Sequence, residues 1–177
     1  MSKIKVGIVG CGGIANQKHF PALKNNSDLN EIVAFCDIIV ERAEKACSEF
    51  GAAGAKVYQD YHDLLNDPEV EIVHICTPNV SHSEIAIAAF AAKKHVYCEK
   101  PMSHSPIEAL KMVEAWKQSG LQETVAISQH PNVRGNDIFM PDFFFLQQFA
   151  IRMCIYQHLF VEYGTLDNFF VVVRGNE

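Results

Sequence analysis

The sequence predicts an α/β fold over residues 1–128: a doubly wound, mostly parallel sheet. Three observations predict it. Short apolar runs alternate with helical patterns five times over, joined by short connections. Those runs are continuously apolar and do not strictly alternate, so both faces of each strand are covered. The first run, in KVGIVGCGGIA at 5–15, ends in a glycine turn that opens a helix.

That turn fixes the first element, a strand at Ile4–Val9. Gly10, Gly12 and Ala15 give the spacing G-x-G-x-x-A, and each position has a physical job in a dinucleotide-binding turn. Gly10 allows a tight exit from the strand. Gly12 lets a pyrophosphate approach the backbone. Ala15 lets the helix pack close to the sheet, and the helix N-terminus offers unpaired N–H groups to the phosphates. The same residues also suit a turn that only packs strand against helix. The first helix covers 14–23, interrupted late by Pro21, and His19 on it reads as a half-exposed surface histidine.

The second strand, Asn30–Cys36, ends at Asp37. An acid at this strand tip is the expected acceptor for a ribose 2′-hydroxyl. It lies further from the glycines than the usual ~20 residues, which a longer helix and loop absorb. Asp37 also suits the cap of the next helix, 38–50, stopped by Gly51. A carboxylate here repels a 2′-phosphate and so favours NAD over NADP, while Arg42 nearby blurs the preference.

Lys56–Tyr58 is a short third strand, and Asp60 caps a small helix that ends at Pro68. The fourth strand, 71–76, leads into Thr77, Pro78 and Asn79, at the end of the sheet where open parallel sheets bind ligands. Ser81 and Glu84 have capping-box spacing ahead of an alanine-rich helix to Ala92. The fifth strand, 94–98, leads into Glu99, Lys100 and Pro101. Ser105 and Glu108 form a second box, with Pro106 at the first helical position and Gly120 at the stop. The sixth strand is 123–128. His74, inside a strand, reads as a packed histidine.

Composition bounds the function. With 177 residues, 49% hydrophobic and 20% charged, the chain suits one well-buried domain plus a tail. A net charge of −6 argues against a nucleic-acid or anionic-membrane partner, and no run is apolar enough for a membrane span. Six cysteines without a C-x-x-C pair fit a reducing compartment and argue against a disulfide framework or a metal site. No signal-peptide pattern precedes the first strand, so a cytoplasmic location is expected.

Three segments together resemble the Gfo/Idh/MocA family of NAD(P)-dependent oxidoreductases: GIVGCGGIA, AFCD, and the long stretch from VYQDYHDLL through TPNVSH to HVYCEKPMS. The last is the most specific, because a TPN-x-x-H loop and an EKP loop recur at the family's spacing. The resemblance covers about residues 3–128 and implies a Rossmann fold, hydride transfer and a sugar or polyol substrate. It implies that Gly10, Gly12, Gly13 and Ile14 hold the pyrophosphate and that Asp37 holds the adenosine ribose. Thr77, Pro78, Asn79 and His82 then lie along the cofactor, and Glu99 and Lys100 form the EKP pair. Lys100 is implied to stand beside the nicotinamide and the reacting carbon as a catalytic residue, which fits the need for a positive group near a developing oxyanion. His82, in a first helical turn, also reads as simply solvated.

From residue 129 the resemblance stops. The family continues into a second domain that carries the substrate pocket and a catalytic Asp/His pair, and no matching glycine-rich segment occurs here. Eight of the twelve Phe lie at 139–170, and no Lys follows Lys117. Residues 140–161 suit an amphipathic helix or an aggregation-prone segment, and Phe169–Val173 reads as a strand without an evident partner. Two explanations stay open: a lost reading frame near 129–135, or a hydrophobic oligomerisation tail at 129–177. The expectation is therefore an NAD-binding domain with little or no turnover. The alternative is a non-catalytic NAD-binding or interaction module that uses the Phe-rich tail, with a homo-oligomer as one outcome. An S-adenosylmethionine-dependent methyltransferase also uses a glycine turn followed by an acid, but the TPN and EKP loops argue against it.

Overall fold

The computed structural model describes residues 2–121, 123–127 and 169–173. Its sheet is ordered β3-β2-β1-β4-β5-β6-β7, with β1 (Ile4–Val9), β2 (Asn30–Cys36), β3 (Lys56–Tyr58), β4 (Ile72–Ile75), β5 (His95–Cys98), β6 (Glu123–Ile127) and β7 (Phe169–Val173). The first six strands are parallel, and β7 pairs antiparallel with β6, Val125 opposite Val171. The expectation that β7 lacks a partner is thus overturned. The remaining expectations for 128–168, the amphipathic helix included, lie outside the described residues.

Apolar side chains cover both faces. On one, Val6, Ile8, Ile32 and Phe35 pack with Phe20 of α1 (Phe20–Asn25) and with Ala43 and Ala46 of α2 (Val40–Phe50). On the other, Val9, Val73, Ile75 and Val96 pack with Leu64 of α3 (Tyr61–Leu65), with Ile85, Ala89 and Phe90 of α4 (His82–Ala91), and with Met112 of α5 (Pro106–Ser119). Burial on both faces explains why the strands read as unbroken apolar runs.

Local chemistry shifts several predicted starts. The first helix is not plain α: Ala15–His19 is a π-helical turn that runs into α1. The second helix begins at Val40 and not at 38, because Asp37 first turns the chain by accepting a bond from the Ile39 N–H at 2.9 Å. The capping box at Ser81 does not form. Its hydroxyl donates to the Pro78 carbonyl at 2.9 Å, and Glu84 instead accepts from the Tyr61 hydroxyl. At α5 half of the box forms: the Ser105 hydroxyl accepts from the Glu108 N–H, and the Glu108 carboxylate turns to Ser83 and Lys111. Gly120, at φ +69°, ends that helix as expected.

At the amino-terminal end of the sheet, the buried Lys94 ammonium donates to the Asp67 and Val70 carbonyls, each at 2.8 Å. The Asp67 carboxylate in turn accepts from Lys56 and Tyr58. Among the described residues, no helix is long and apolar enough to cross a membrane.

Candidate functional site

The carboxyl ends of β1, β2, β4 and β5 form one rim. The strand order reverses between β1 and β4, which is the crevice where sheets of this kind take ligands. The glycine turn stands at its centre.

Gly10 leaves β1 at φ +94°, and a Cβ there would lie 2.8 Å from the Cys76 carbonyl carbon and oxygen. The protein itself therefore demands glycine at this position. At Gly12 a Cβ would meet nothing within 4 Å, and at Gly13 only the Gln17 amide at 4.0 Å. Among the described residues no atom requires a glycine at 12, and the backbone there is open to the close approach of a ligand. The N–H groups of the first helical turn have no intrahelical acceptors and suit a pyrophosphate there. Ile14 is exposed just beyond the turn.

Two side chains brace this loop. The Asn16 amide donates to the Cys11 and Gly12 carbonyls at 2.9 and 2.8 Å, a role the sequence reading missed. Asp37, buried at the tip of β2, accepts the Cys11 N–H at 2.9 Å on one oxygen and the Ile39 N–H on the other. Each carboxylate oxygen keeps a second lone pair, so Asp37 fixes the turn and can still accept a hydroxyl. The Cys11 thiol points inward toward the Cys36 carbonyl, and burial together with the Asp37 charge pushes it up to about 12. Cys11, Gly12, Gly13 and Asn16 line an open cavity of about 350 Å³ with Arg42 and Lys45, which add two cations to its wall.

The other predicted residues gather beyond β4 and β5. Thr77 is half-buried and its hydroxyl lies 3.1 Å from that of Ser81; Pro78 is exposed and Asn79 opens a short 3₁₀ turn, Asn79–Ser81. His82 is not solvated but almost fully buried. Its Nδ1 lies 2.8 Å from the Pro101 carbonyl and its Nε2 2.8 Å from the Thr77 carbonyl, so the ring ties the two loops together. The Lys100–Pro101 peptide is cis. Lys100 is exposed, and among the described residues its ammonium has no ion-pair partner.

Glu99 leads to the residue that the sequence reading misplaced. His19 is buried, not half-exposed, and its Nε2 lies 2.8 Å from Glu99 Oε1. Its Nδ1 lies 3.2 Å from Nδ1 of His74, whose ring stacks on Tyr97 at 4.6 Å between centroids. A signal was present. Ala15 packs on the sheet, and His19 is one turn further on. Strand alternation also puts Tyr97 and Glu99 on one face, in register with His74. Burial pulls the His74 pKa down to about 3, so that ring is neutral. For Glu99 burial acts upward, but the His19 hydrogen bond and the neighbouring Lys100 outweigh it and hold the carboxyl below its ordinary range.

Among the described residues, no cluster of His, Cys, Asp and Glu suits a metal ion.

The model of the oxidoreductase family with an NAD-binding Rossmann fold (Gfo/Idh/MocA) matches residues 4–127. The inositol 2-dehydrogenase of Salmonella typhimurium is 42% identical over 117 residues, 66% of this chain and 34% of that protein. The WlbA dehydrogenase of Chromobacterium violaceum, solved with NADH and UDP-GlcNAcA, superposes with a TM-score of 0.65 at 33% identity, over 70% of this chain and 34% of that one. KijD10, a 3-ketoreductase from Actinomadura kijaniata solved with NADP and TDP-benzene, gives 0.64 at 30% identity, over 70% and 37%. The chain spans about a third of the length of the curated relatives it matches.

Proposed function

The chain belongs to the Gfo/Idh/MocA oxidoreductase family, and from that premise we propose that residues 1–128 are a domain that binds a nicotinamide dinucleotide across the carboxyl ends of β2, β1, β4 and β5. The observation that carries this reading is Gly12, a glycine with no atom of the described residues within 4 Å of the position of its missing side chain. Gly12, Gly13 and Ile14 would receive the pyrophosphate, and Asp37 the adenosine ribose. Thr77, Pro78, Asn79 and His82 would line the path to the nicotinamide.

NAD is the expected cofactor, because the Asp37 carboxylate repels a 2′-phosphate. Arg42 and Lys45 on the cavity wall are the groups that would admit NADP. When bound, the nicotinamide takes up or gives a hydride. Lys100 is proposed as the catalytic residue: its ammonium orients a hydroxyl and stabilises the negative charge that develops on the oxygen. The substrate class proposed is a sugar or polyol, as the names of the inositol dehydrogenases suggest.

These residues position a cofactor and one ammonium. Orientation of the alcohol and exclusion of water supply much of the rate in such reactions, so little or no turnover is expected from residues 1–177 alone. The second reading, a non-catalytic NAD-binding or interaction module with 129–177 as its interface, is favoured by the concentration of Phe at 139–170. Titration with NADH, followed by its fluorescence, tests the cofactor reading. Saturable binding is expected, and no binding at millimolar NADH overturns it. Steady turnover of a polyol by this chain would overturn the expected lack of activity.

A further inference from the structure

We propose that His19 is a positioning residue, which holds the Glu99 carboxylate toward the protein interior and so keeps the neighbouring Lys100 ammonium unpaired at the nicotinamide end of the cleft; this rests on the cofactor reading above. The pyrophosphate turn and the EKP loop are far apart in sequence, yet one hydrogen bond joins the helix that starts at the first to the loop that forms the second. His19 Nε2 meets Glu99 Oε1 at 2.8 Å, and both side chains are largely withdrawn from water. The other oxygen, Oε2, accepts the Lys100 backbone N–H at 3.2 Å. Glu99 is therefore gripped at both oxygens, one by His19 and one by the peptide of the residue it orients.

The direction of the His19 bond follows from charge. Glu99 is held ionised and can only accept, so His19 Nε2 carries the proton and donates. The ring is wedged in place. His74 Nδ1 stands 3.2 Å behind its Nδ1, and Tyr97 meets it edge to face at 5.5 Å. His74 is neutral and supplies one N–H, so a single proton serves the contact between the two Nδ1 atoms.

The chemical consequence concerns Lys100. A carboxylate and an ammonium on adjacent residues at the end of a strand attract each other, and pairing would neutralise the group proposed to act on the substrate oxygen. His19 competes for that carboxylate from inside. The π-helical turn at Ala15–His19 is the local device that delivers the ring, and such turns concentrate at functional sites. The charged and titratable groups around Glu99 are His19, Lys100, Tyr97, Cys76 and Cys98; the His19 ring bonds one carboxylate oxygen and the Lys100 backbone N–H the other, while the Cys98 thiol turns to the Glu99 carbonyl.

The test compares NADH with ADP-ribose, which lacks the nicotinamide, on the full 177-residue chain. With Glu99 released to pair with Lys100 at the nicotinamide end, His19→Ala should weaken NADH about tenfold, the loss of about one charge-assisted contact there, and change ADP-ribose less than about twofold. His19→Gln, which restores an N–H donor, should recover most of the loss. In a Glu99→Gln background, His19→Ala should cost nothing further. Equal weakening of both ligands, or no weakening of either, overturns the proposal. If the wild-type chain binds neither ligand, the cofactor reading fails, and carboxyl ¹³C NMR of Glu-labelled protein decides the positioning role by itself. There Glu99 should titrate at higher pH in His19→Ala than in the wild type, because the His19 bond no longer opposes burial and Lys100 alone is left to do so. An unchanged midpoint overturns the proposal.

Discussion

At the scale of single residues, the two glycines of the turn serve different masters. Gly10 is demanded by the fold, since its φ of +94° and the Cys76 carbonyl at 2.8 Å both exclude a side chain. Gly12 is surrounded by open space. Gly10→Ala should therefore lower stability by about 3 kcal/mol in urea denaturation and lose NADH binding along with the fold. Gly12→Ala should leave the urea midpoint within about 0.5 kcal/mol equivalent while weakening NADH about tenfold or more, because the methyl intrudes where a pyrophosphate approaches. Loss of stability without loss of affinity at Gly12 would refute that assignment. Both glycines were legible from spacing alone, as was Asp37 at its strand tip. What spacing cannot disclose is that Asp37 already accepts two backbone N–H groups, or that Asn16 braces the turn from four residues beyond Gly12. Those bonds depend on side-chain direction after folding.

At the scale of elements, the strands were the most readable part. β1, β2 and β3 keep the bounds read from sequence, and in β1 and β2 the apolar stretch that marks each strand is the part covered on both faces. Helix starts were less readable, since Ser, Asp and Glu have several local partners to choose from. Ser105 caps α5, whereas Ser81, with the same spacing to a glutamate, turns back to Pro78 and Thr77. Ser105→Ala should thus cost about 1 kcal/mol in chemical denaturation, and Ser81→Ala should cost helix α4 less than that. Equal losses at the two sites would mean that Ser81 caps α4 after all. The pairing of β7 with β6 was not legible either. Its run of Phe and Val states that it is a strand, but the choice of partner is a long-range event with no local signature.

At the scale of the whole molecule, charge is buried at both ends of the sheet, and acid should expose this in two stages. His74 titrates near 6.5 when unfolded and at about 3 when folded. The unfolded chain binds that proton first, so stability should start to fall as the pH drops below about 6.5 and continue falling toward about 3. For Asp67 burial acts upward, but the Glu69 N–H, the Lys56 ammonium and the Tyr58 hydroxyl outweigh it and hold the carboxyl below its ordinary range. Its stabilisation is complete above about 3.9 and is lost as the pH falls through the lower folded value. Urea midpoints from pH 7.5 down to about 2 should show both stages, and His74→Phe should remove the first while keeping a ring against Tyr97. A wild-type profile flat down to pH 4.5 would contradict the burial of a neutral His74. The five described thiols carry a last consequence. Cys11 and Cys76 lie in one core, Cys36 and Cys98 in the other, and Cys47 borders the first. Cys11 and Cys36 are pushed up to about 12, and Cys76 and Cys47 are also raised. At the buried Cys11, Cys36 and Cys76 there is thus almost no thiolate, and an alkylating reagent reaches these three only when part of the sheet opens. The rate at which each cysteine acquires a label is then a clock for its own neighbourhood, and the clock at Cys11 runs beneath the glycine turn, where a bound dinucleotide would slow it.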